Sequence, residues 1–455
     1  MRHLLLCRIF LASDEAFNSI PLLRHVRHQP VTIWALSSLS LFLDTFFYTL
    51  TISALPDILQ SSMGASESAN GIVTTMFGVG SLVGSTASGI LSDRLGNRRG
   101  LQMAGSLVYT TAGVILYFAR RYYQVILFRL ADGLASGIAC TLLYASLGDV
   151  YPADRLAFKV AVVYFCNNAG YTIGPVTGQR LYDIMGVKGP AAVIIALSLL
   201  KLVLLAVVTE DSLTIRDMVY TNKVVGKDSE TCTSASDSRT DSPPDSAPRE
   251  PGMSLLRLLL RLPVVVATLS IIASIGIQCT LENLVPLHLV DTLNHTRDNG
   301  MTFVILGLVF TLMVPVVGKA TDRLIGWRGE PLRYWIILTG AVGSILAVAL
   351  MAFSGSYAVM MTGYALFALA DLFMFVPSQS AYGDFVNDAS TNSMARGYSI
   401  AVFAWAVGAV ALPPIGTALY ARLGFIWPAF GISVVVCAIS GIACLVFIMR
   451  KDSSG

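Results

Sequence analysis

Residues 89–101 read GILSDRLGNRRGL, a short charged segment between two long apolar runs. A shorter copy, GKATDRLIG, occupies residues 318–326. Glycine and clustered charges between apolar runs are typical of a tight turn that joins two helices. Asp93 lies near a helix end, where its carboxylate can pair with basic groups or cap a neighbouring helix. The two copies indicate that the chain contains an internal duplication.

Two further pairs of segments repeat in the same order along the chain. FRLAD at 128–132 returns as FALAD at 367–371, at an offset of 239 residues. The glycine, proline and tyrosine positions of 170–186 return in 408–424 at an offset of 238 residues. Three matched pairs in one order predict two homologous halves.

The composition predicts a membrane protein. Hydrophobic residues make up 55% of the 455 residues and charged residues 13%, whereas charged residues make up about 25% of a soluble domain. Spans in lipid must be helices or closed barrels, and these apolar runs lack the period-two alternation of a barrel. We therefore predict an all-α membrane protein with twelve transmembrane helices in two pseudo-symmetric six-helix bundles. Hydropathy places the spans at about 31–56, 70–92, 101–119, 122–148, 158–182, 189–208, 263–289, 299–320, 333–354, 356–382, 394–420 and 424–449. The predicted parts are an N-terminal tail at 1–30, bundles at 31–208 and 263–449, a flexible linker at 209–262 and a C-terminal tail at 450–455.

The basic residues predict the orientation of the chain. Of the 31 lysines and arginines, 23 fall on the side of the tails and linker, 6 on the other side and two within spans. Because basic loops face the cytoplasm, both termini are predicted to be cytoplasmic. Asn294 begins an Asn-His-Thr sequon on the opposite side and is a glycosylation candidate. The net charge of +3 and its dispersal argue against nucleic acid as a partner.

Four acidic side chains lie inside predicted spans: Asp44, Asp132, Glu282 and Asp371. An acid at the centre of a span costs roughly 2.5–3.5 kcal/mol on insertion scales, so such groups are usually functional or paired. Arg129 precedes Asp132 by three residues and shares its helical face, which predicts an ion pair with either a coupling or a purely structural role. No basic residue is an obvious counter-ion for the other three acids. The scattered cysteines and histidines predict neither a metal site, a cofactor nor an enzyme.

Two segments resemble signatures of the major facilitator superfamily, and the resemblance implies that superfamily's fold. The 89–101 segment resembles its signature between the second and third helices, and NAGYTIGPVTG at 168–178 resembles the fifth-helix signature of its drug:proton antiporters. The residues that match, and to which the resemblance implies a role in conformational gating, are Gly89, Asp93, Arg94, Gly96, Arg98, Gly170, Gly174, Pro175, Gly178, Asp322 and Arg323.

The surroundings of the buried acids resemble the vesicular amine transporter branch of the same superfamily. LFLDTFFYTLTISALP contains Asp44, and the downstream acids lie in similar contexts. The resemblance implies that Asp44, Glu282 and Asp371 bind substrate or protons in a central cavity, and that Arg129 and Asp132 serve proton coupling. A basic residue expected in the second helix and an acid expected in the eleventh are missing, which favours a microbial exporter. Aromatic residues that could line the cavity are Phe46, Phe47, Tyr48, Tyr144, Tyr164, Phe375, Phe403 and Trp405.

The function expected from these features is secondary active transport. A buried carboxylate holds either a proton or an organic cation, so competition for it couples export of an amine, drug or secondary metabolite to proton entry. Uptake of a small nutrient is the alternative, and a non-transporting sensor is a further one. The expected partners are the lipid bilayer, a small organic substrate and protons, with a monomer as the working unit. The plasma membrane is favoured, and a vacuolar or vesicular membrane is the alternative.

Overall fold

A computed structural model describes the residues 26–55, 57–61, 63–64, 68–151, 153–209, 211–212, 214–215, 261–293, 299–328, 331–353, 355–388 and 394–452. Most of the predicted N-terminal tail, nearly all of the 209–262 linker and the sequon at Asn294 lie outside these ranges. The side chains of Asp93, Arg94 and Asp322 also lie outside the description, although their backbones are helical.

Within the described ranges the chain forms helices and no strands. Each predicted span overlaps one long helix. The helices are α1 Pro30–Ile52, α2 Ser68–Leu95, α3 Arg98–Tyr117, α4 Tyr122–Val150, α5 Ala153–Met185, α6 Lys188–Val208, α7 Leu262–Leu293, α8 Asn299–Arg328, α9 Pro331–Ala352, α10 Tyr357–Asp388, α11 Met394–Leu423 and α12 Ile432–Asp452. In this described part, nine of them are long and apolar enough to cross a membrane; α2, α3 and α5 are richer in small and polar residues.

In the N-terminal half, α5 lies against α1 along a line of glycines. A Cβ atom at Gly170 or Gly178 would overlap the carbonyl oxygen of Phe42 or Leu50 on α1. Lipid provides no hydrophobic drive for helices to associate, so close backbone packing at small residues must hold them together. The fifth-helix signature therefore fixes the contact between α1 and α5.

The C-terminal half repeats this contact between α7 and α11. A Cβ atom at Gly408 would press on the backbone of Ile272, and one at Gly416 would press on Thr280. Gly408 and Gly416 stand 238 residues after Gly170 and Gly178, so the sequence repeat is also a repeat of helix packing. The register of the contact makes Ile272 on α7 the counterpart of Phe42 on α1.

Two further helix pairs join the halves: α2 packs on α11, and α5 packs on α8. Gly71 and Gly78 on α2 approach Thr417 and Val410 on α11, and Gly307 on α8 approaches Thr172. We call the whole region in which the two halves meet the seam. We call the end of the bundle that holds the first residue of α1 and the last residue of α12 the terminal face.

Candidate functional site

Glu282 on α7 lies at the seam. Its side chain is 2% exposed. One carboxylate oxygen accepts a hydrogen bond from the hydroxyl of Tyr48 on α1 at 3.0 Å, and the other accepts one from Tyr171 on α5 and one from Gln278 at 2.9 Å. Because both tyrosines belong to the N-terminal half, Glu282 joins the two halves through its carboxylate.

Aromatic side chains from both halves surround this carboxylate. Tyr48 packs on Phe77 with ring centroids 4.7 Å apart, and Phe77 meets the edge of Trp405 on α11 at 6.3 Å. Tyr171 and Phe303 complete the cluster. Aromatic faces attract organic cations, and this cluster places several beside a buried carboxylate.

The eight aromatic residues predicted to line a cavity are distributed more widely. Tyr48 and Trp405 belong to the cluster at the seam. Tyr164 and Phe375 form a second aromatic contact between the halves, with ring centroids 6.3 Å apart. Phe46 and Phe47 pack into the apolar core of the N-terminal half, Tyr144 packs at its terminal-face end, and Phe403 is 45% exposed. The prediction therefore included four residues that meet at the seam and four that do not.

Arg129 and Asp132 on α4 form the predicted ion pair. Their side chains are each 1% exposed, and Nη1 of Arg129 lies 3.2 Å from Oδ2 of Asp132. The same nitrogen lies 3.4 Å from the carbonyl oxygen of Tyr48, and the guanidinium lies 5.5 Å from the centre of the Tyr48 ring. Arg129 is also close enough to Glu282 to interact with it electrostatically. The ion pair therefore lies in the N-terminal half, next to the tyrosine that donates to Glu282.

Asp44 lies inside the N-terminal half. One carboxylate oxygen accepts a hydrogen bond from the Tyr109 hydroxyl on α3, and the other accepts from Ser136 at 3.1 Å and Cys140 at 3.4 Å on α4. All of these donors belong to the N-terminal half.

Lys201 on α6 lies within electrostatic range of Asp44. Asp44 therefore has a basic group in its surroundings, although the sequence offered no obvious counter-ion for it. Lys201 is 157 residues away along the chain and lies in an apolar helix, so no local spacing indicated the pair.

Asp371 on α10 is buried in the C-terminal half. Ser274 on α7 lies near it, but neither carboxylate oxygen accepts a hydrogen bond of normal geometry within the described part of the chain. Ala368 stands where the other half has Arg129. By the register of the glycine contacts, Ser274 is the counterpart of Asp44. The two halves thus share a fold but differ in their buried charges.

The 89–101 segment ties helix ends together at the terminal face. Gly96 ends α2 with a φ of +59°, a conformation that favours glycine, and the Asn97 side chain caps α3 by accepting from the Gly100 amide at 2.7 Å. Arg98 lies 3.0 Å from Asp149 at the end of α4. Arg99 donates to the carbonyl oxygens of Leu205 and Ala206 at the end of α6.

The other residues of the predicted gating set make fewer contacts with neighbouring helices. A Cβ atom at Gly89 would touch only the edge of Thr141. In the second copy of the segment, Arg323 is exposed. Pro175 lies within α5, and its carbonyl oxygen accepts from Ser53 at 3.1 Å. Across the residues that the structure describes, no group of three histidine, cysteine or acidic side chains could hold a metal ion.

Comparison with known proteins places the chain in a family. The model of the Major Facilitator Superfamily matches residues 37–395. An uncharacterized MFS-type transporter of Schizosaccharomyces pombe, C18.02, is 26% identical over 171 residues, which are 37% of this chain and 38% of that protein. The major facilitator superfamily multidrug transporter mfsC of Aspergillus fumigatus is 28% identical over 149 residues, 32% of this chain and 28% of that protein. The matched segments thus cover 38% and 28% of the lengths of these two relatives.

A solved structure supports the fold over nearly the whole chain. The crystal structure of a POT family transporter in complex with 5-aminolevulinic acid superposes with a TM-score of 0.68. The superposition covers 92% of this chain and 96% of that chain at 16% sequence identity. At this identity the likeness concerns the fold alone.

Proposed function

This chain belongs to the major facilitator superfamily, and from that premise we propose that it is a proton-coupled antiporter of the plasma membrane. It exports a small organic cation, such as an amine, a drug or a secondary metabolite, by alternating access. The observation that carries the proposal is the buried carboxylate of Glu282, which faces aromatic rings at the seam and accepts hydrogen bonds from the opposite half.

Glu282 supplies the exchange step in this proposal. An ionised carboxylate attracts an organic cation and is a strong acceptor for the Tyr48 and Tyr171 hydroxyls. A protonated one no longer attracts the cation and accepts these hydrogen bonds more weakly. Cargo and proton therefore compete for one group, and that group also helps to hold the halves together. Changes in its charge bias the balance between the two orientations of the halves.

The other predicted residues take supporting roles. Asp371 lies deeper in the C-terminal half and handles protons or cargo there, while Arg129 and Asp132 transmit charge changes behind Tyr48 to the seam. The loop at the terminal face, which we place in the cytoplasm, gates that side. The similarity to a multidrug transporter is in keeping with a broad organic cargo.

The proposal is tested by gradient-driven uptake into proteoliposomes that contain the purified protein. The probes are tetraphenylphosphonium, a panel of organic amines and neutral compounds of matched size, with an acid interior as the driving force. We expect concentrative uptake of the cations, abolished by a proton ionophore. Glu282→Gln should reduce this uptake at least tenfold, about the effect of losing one charged contact. Asp183→Asn, which neutralises an exposed acid on α5, should transport as the wild type does.

The alternatives give different results in the same assay. Uptake of neutral nutrients that only equilibrates, or uptake that requires protons to move with the cargo, would contradict antiport. Full gradient-driven uptake of cations by Glu282→Gln would refute the role given to that carboxylate.

A further inference from the structure

Lys201 is a buried cation for which the proposed exchange at Glu282 has no use. It stands near the middle of α6, whose sequence KGPAAVIIALSLLKLVLLAVV contains no other charge after its first residue. Its neighbours Leu200 and Val203 are half exposed on the outer surface, whereas Lys201 is 2% exposed. The ammonium therefore faces the interior of the N-terminal half, where it lies 5.4 Å from the centre of the Tyr109 ring. A charge in this position needs a partner to remain in a span.

Tyr109 connects Lys201 to Asp44, because its ring lies beside the ammonium and its hydroxyl donates to the carboxylate of Asp44. The charged and titratable groups that face it come from three helices: Tyr109 on α3, Asp132 and Cys140 on α4, and Lys201 on α6. With Asp44 and Asp132 ionised, the buried cluster of Asp44, Asp132, Arg129 and Lys201 carries two charges of each sign. The cluster is therefore neutral while Asp44 is a carboxylate and carries one positive charge when Asp44 is protonated.

A small cleft, lined by both polar and apolar residues, opens at the terminal face between α1, α3, α4 and α6. The cleft has a volume of about 20 Å³, room for about one water molecule. Its polar lining residues are Ser37, Arg99, Gln102, Ser146, Thr209 and Ser212, and Ile33 and Leu36 are among its apolar ones. Leu205 also lines it and stands one helical turn from Lys201 on α6. Ser37 stands two turns from Asp44 on α1. Hydroxyl, amide and guanidinium groups of this kind favour water, and all the residues that line the cleft precede the second half of the chain, away from the seam.

We infer that Lys201 is the fixed counter-ion of Asp44, and that this pair is a proton-exchange site within the N-terminal half, reached from the terminal face and separate from the cargo site at Glu282. The inference rests on the proposed antiport. A proton from the cleft binds the Asp44 carboxylate, and Lys201 keeps its own. The cluster then carries one excess positive charge. Because Arg129 is the member of the cluster near Glu282, this charge repels an organic cation at the seam. Loss of the proton to the cleft restores neutrality and the affinity for cargo.

Lys201 acts through Asp44, so it is a positioning residue and its test is a pH profile. Gradient-driven uptake of tetraphenylphosphonium is measured in proteoliposomes across a range of external pH. Lys201→Met should move the pH of half-maximal uptake upward by about one unit or more, since a carboxylate that has lost a neighbouring cation holds its proton to higher pH. Lys201→Arg should restore the wild-type midpoint. Lys188→Met, the same change at the exposed start of α6, should leave the midpoint in place.

A stability cycle keeps the inference testable if Lys201→Met does not transport. Melting temperatures in detergent are compared for Asp44→Asn, Lys201→Met and the double variant. Each single change leaves one buried charge alone, so the double variant should be more stable than either. An unmoved pH midpoint in Lys201→Met, or losses of stability that simply add, would overturn the inference. Absence of any gradient-driven uptake in the wild type would instead refute the proposed function, and the stability cycle would still report on the pair.

Discussion

Asp132 and Asp371 occupy matching positions in the two halves but have different surroundings. Asp132 has Arg129 at 3.2 Å, whereas Ala368 takes the arginine's place beside Asp371. When an ion pair is buried, both groups lose their favourable hydration free energy, and the attraction between the two charges offsets part of that loss. Asp132 is therefore tied to a fixed partner, and Asp371 is the one of the two that we propose exchanges a proton or contacts cargo.

The Arg129–Asp132 pair predicts a specific pattern of stability. Arg129→Met leaves the carboxylate of Asp132 buried without its cation, which should cost about 3–5 kcal/mol of stability. Thermal unfolding in detergent measures the loss. The double variant Arg129→Met/Asp132→Leu should recover most of it, and Arg120→Met, at an exposed site before α4, should change little. An unchanged melting temperature for Arg129→Met would show that the pair contributes nothing to the fold.

At this scale the sequence could reveal contacts within one helix but not those between distant helices. The spacing of Arg129 and Asp132 placed them on one face of α4 and predicted their ion pair. Nothing in the sequence marked Tyr171 as a partner of Glu282, because a tyrosine among apolar residues is usually a packing residue. Lys201 was not identified with Asp44 because the two lie on helices that are far apart in the chain. The chain offers no signal of which two helices will be neighbours at a given depth.

At the scale of the helices, hydropathy predicted all twelve long elements to within a few residues at most of their ends. The differences of five residues or more are at the start of α5, at the ends of α8 and α10, and at the start of α12. These ends lie at Ala153, Arg328, Asp388 and Ile432, where 158, 320, 382 and 424 were predicted. In α5, α8 and α10 the helix extends beyond its apolar part into polar sequence at the terminal face, whereas the first part of the twelfth span forms a separate short π-helix, Trp427–Gly431. Hydropathy detects the part that lies in lipid, and backbone hydrogen bonding continues past it.

The contact between α1 and α5 can be tested with two glycines. Gly178→Ala places a methyl group on the carbonyl oxygen of Leu50 and should force the helices apart, at a cost of roughly 1–3 kcal/mol. Gly148→Ala on α4, where a Cβ atom meets nothing within 4 Å, should be neutral or stabilise the helix by up to about 1 kcal/mol. Melting temperature and the monodisperse fraction on gel filtration compare the two. Equal behaviour of the two variants would contradict the role given to the glycine line.

At the scale of the whole molecule, the duplication in the sequence predicted two halves, but not how they meet. The seam contains hydrogen bonds from Tyr48 and Tyr171 to Glu282, and from Thr74 on α2 to Asn283 on α7 at 3.0 Å. In the part of the chain that the structure describes, the same hydrogen bonds do not recur at the positions that the repeat relates to these residues. A contact between the two halves does not have to follow the symmetry that relates them. We propose that cargo crosses the membrane when this seam opens and closes around Glu282.

Cross-linking across the seam, with transport measured on the same sample, tests that claim most directly. In Thr74→Cys/Asn283→Cys an oxidant should form a disulfide between the halves and stop gradient-driven uptake, and a reductant should restore it. Each single cysteine variant is a control for the oxidant. The matched pair Ser270→Cys/Ser440→Cys replaces a 2.8 Å contact within the C-terminal half, so it should cross-link without loss of uptake. Undiminished uptake with the seam fully cross-linked would contradict the account.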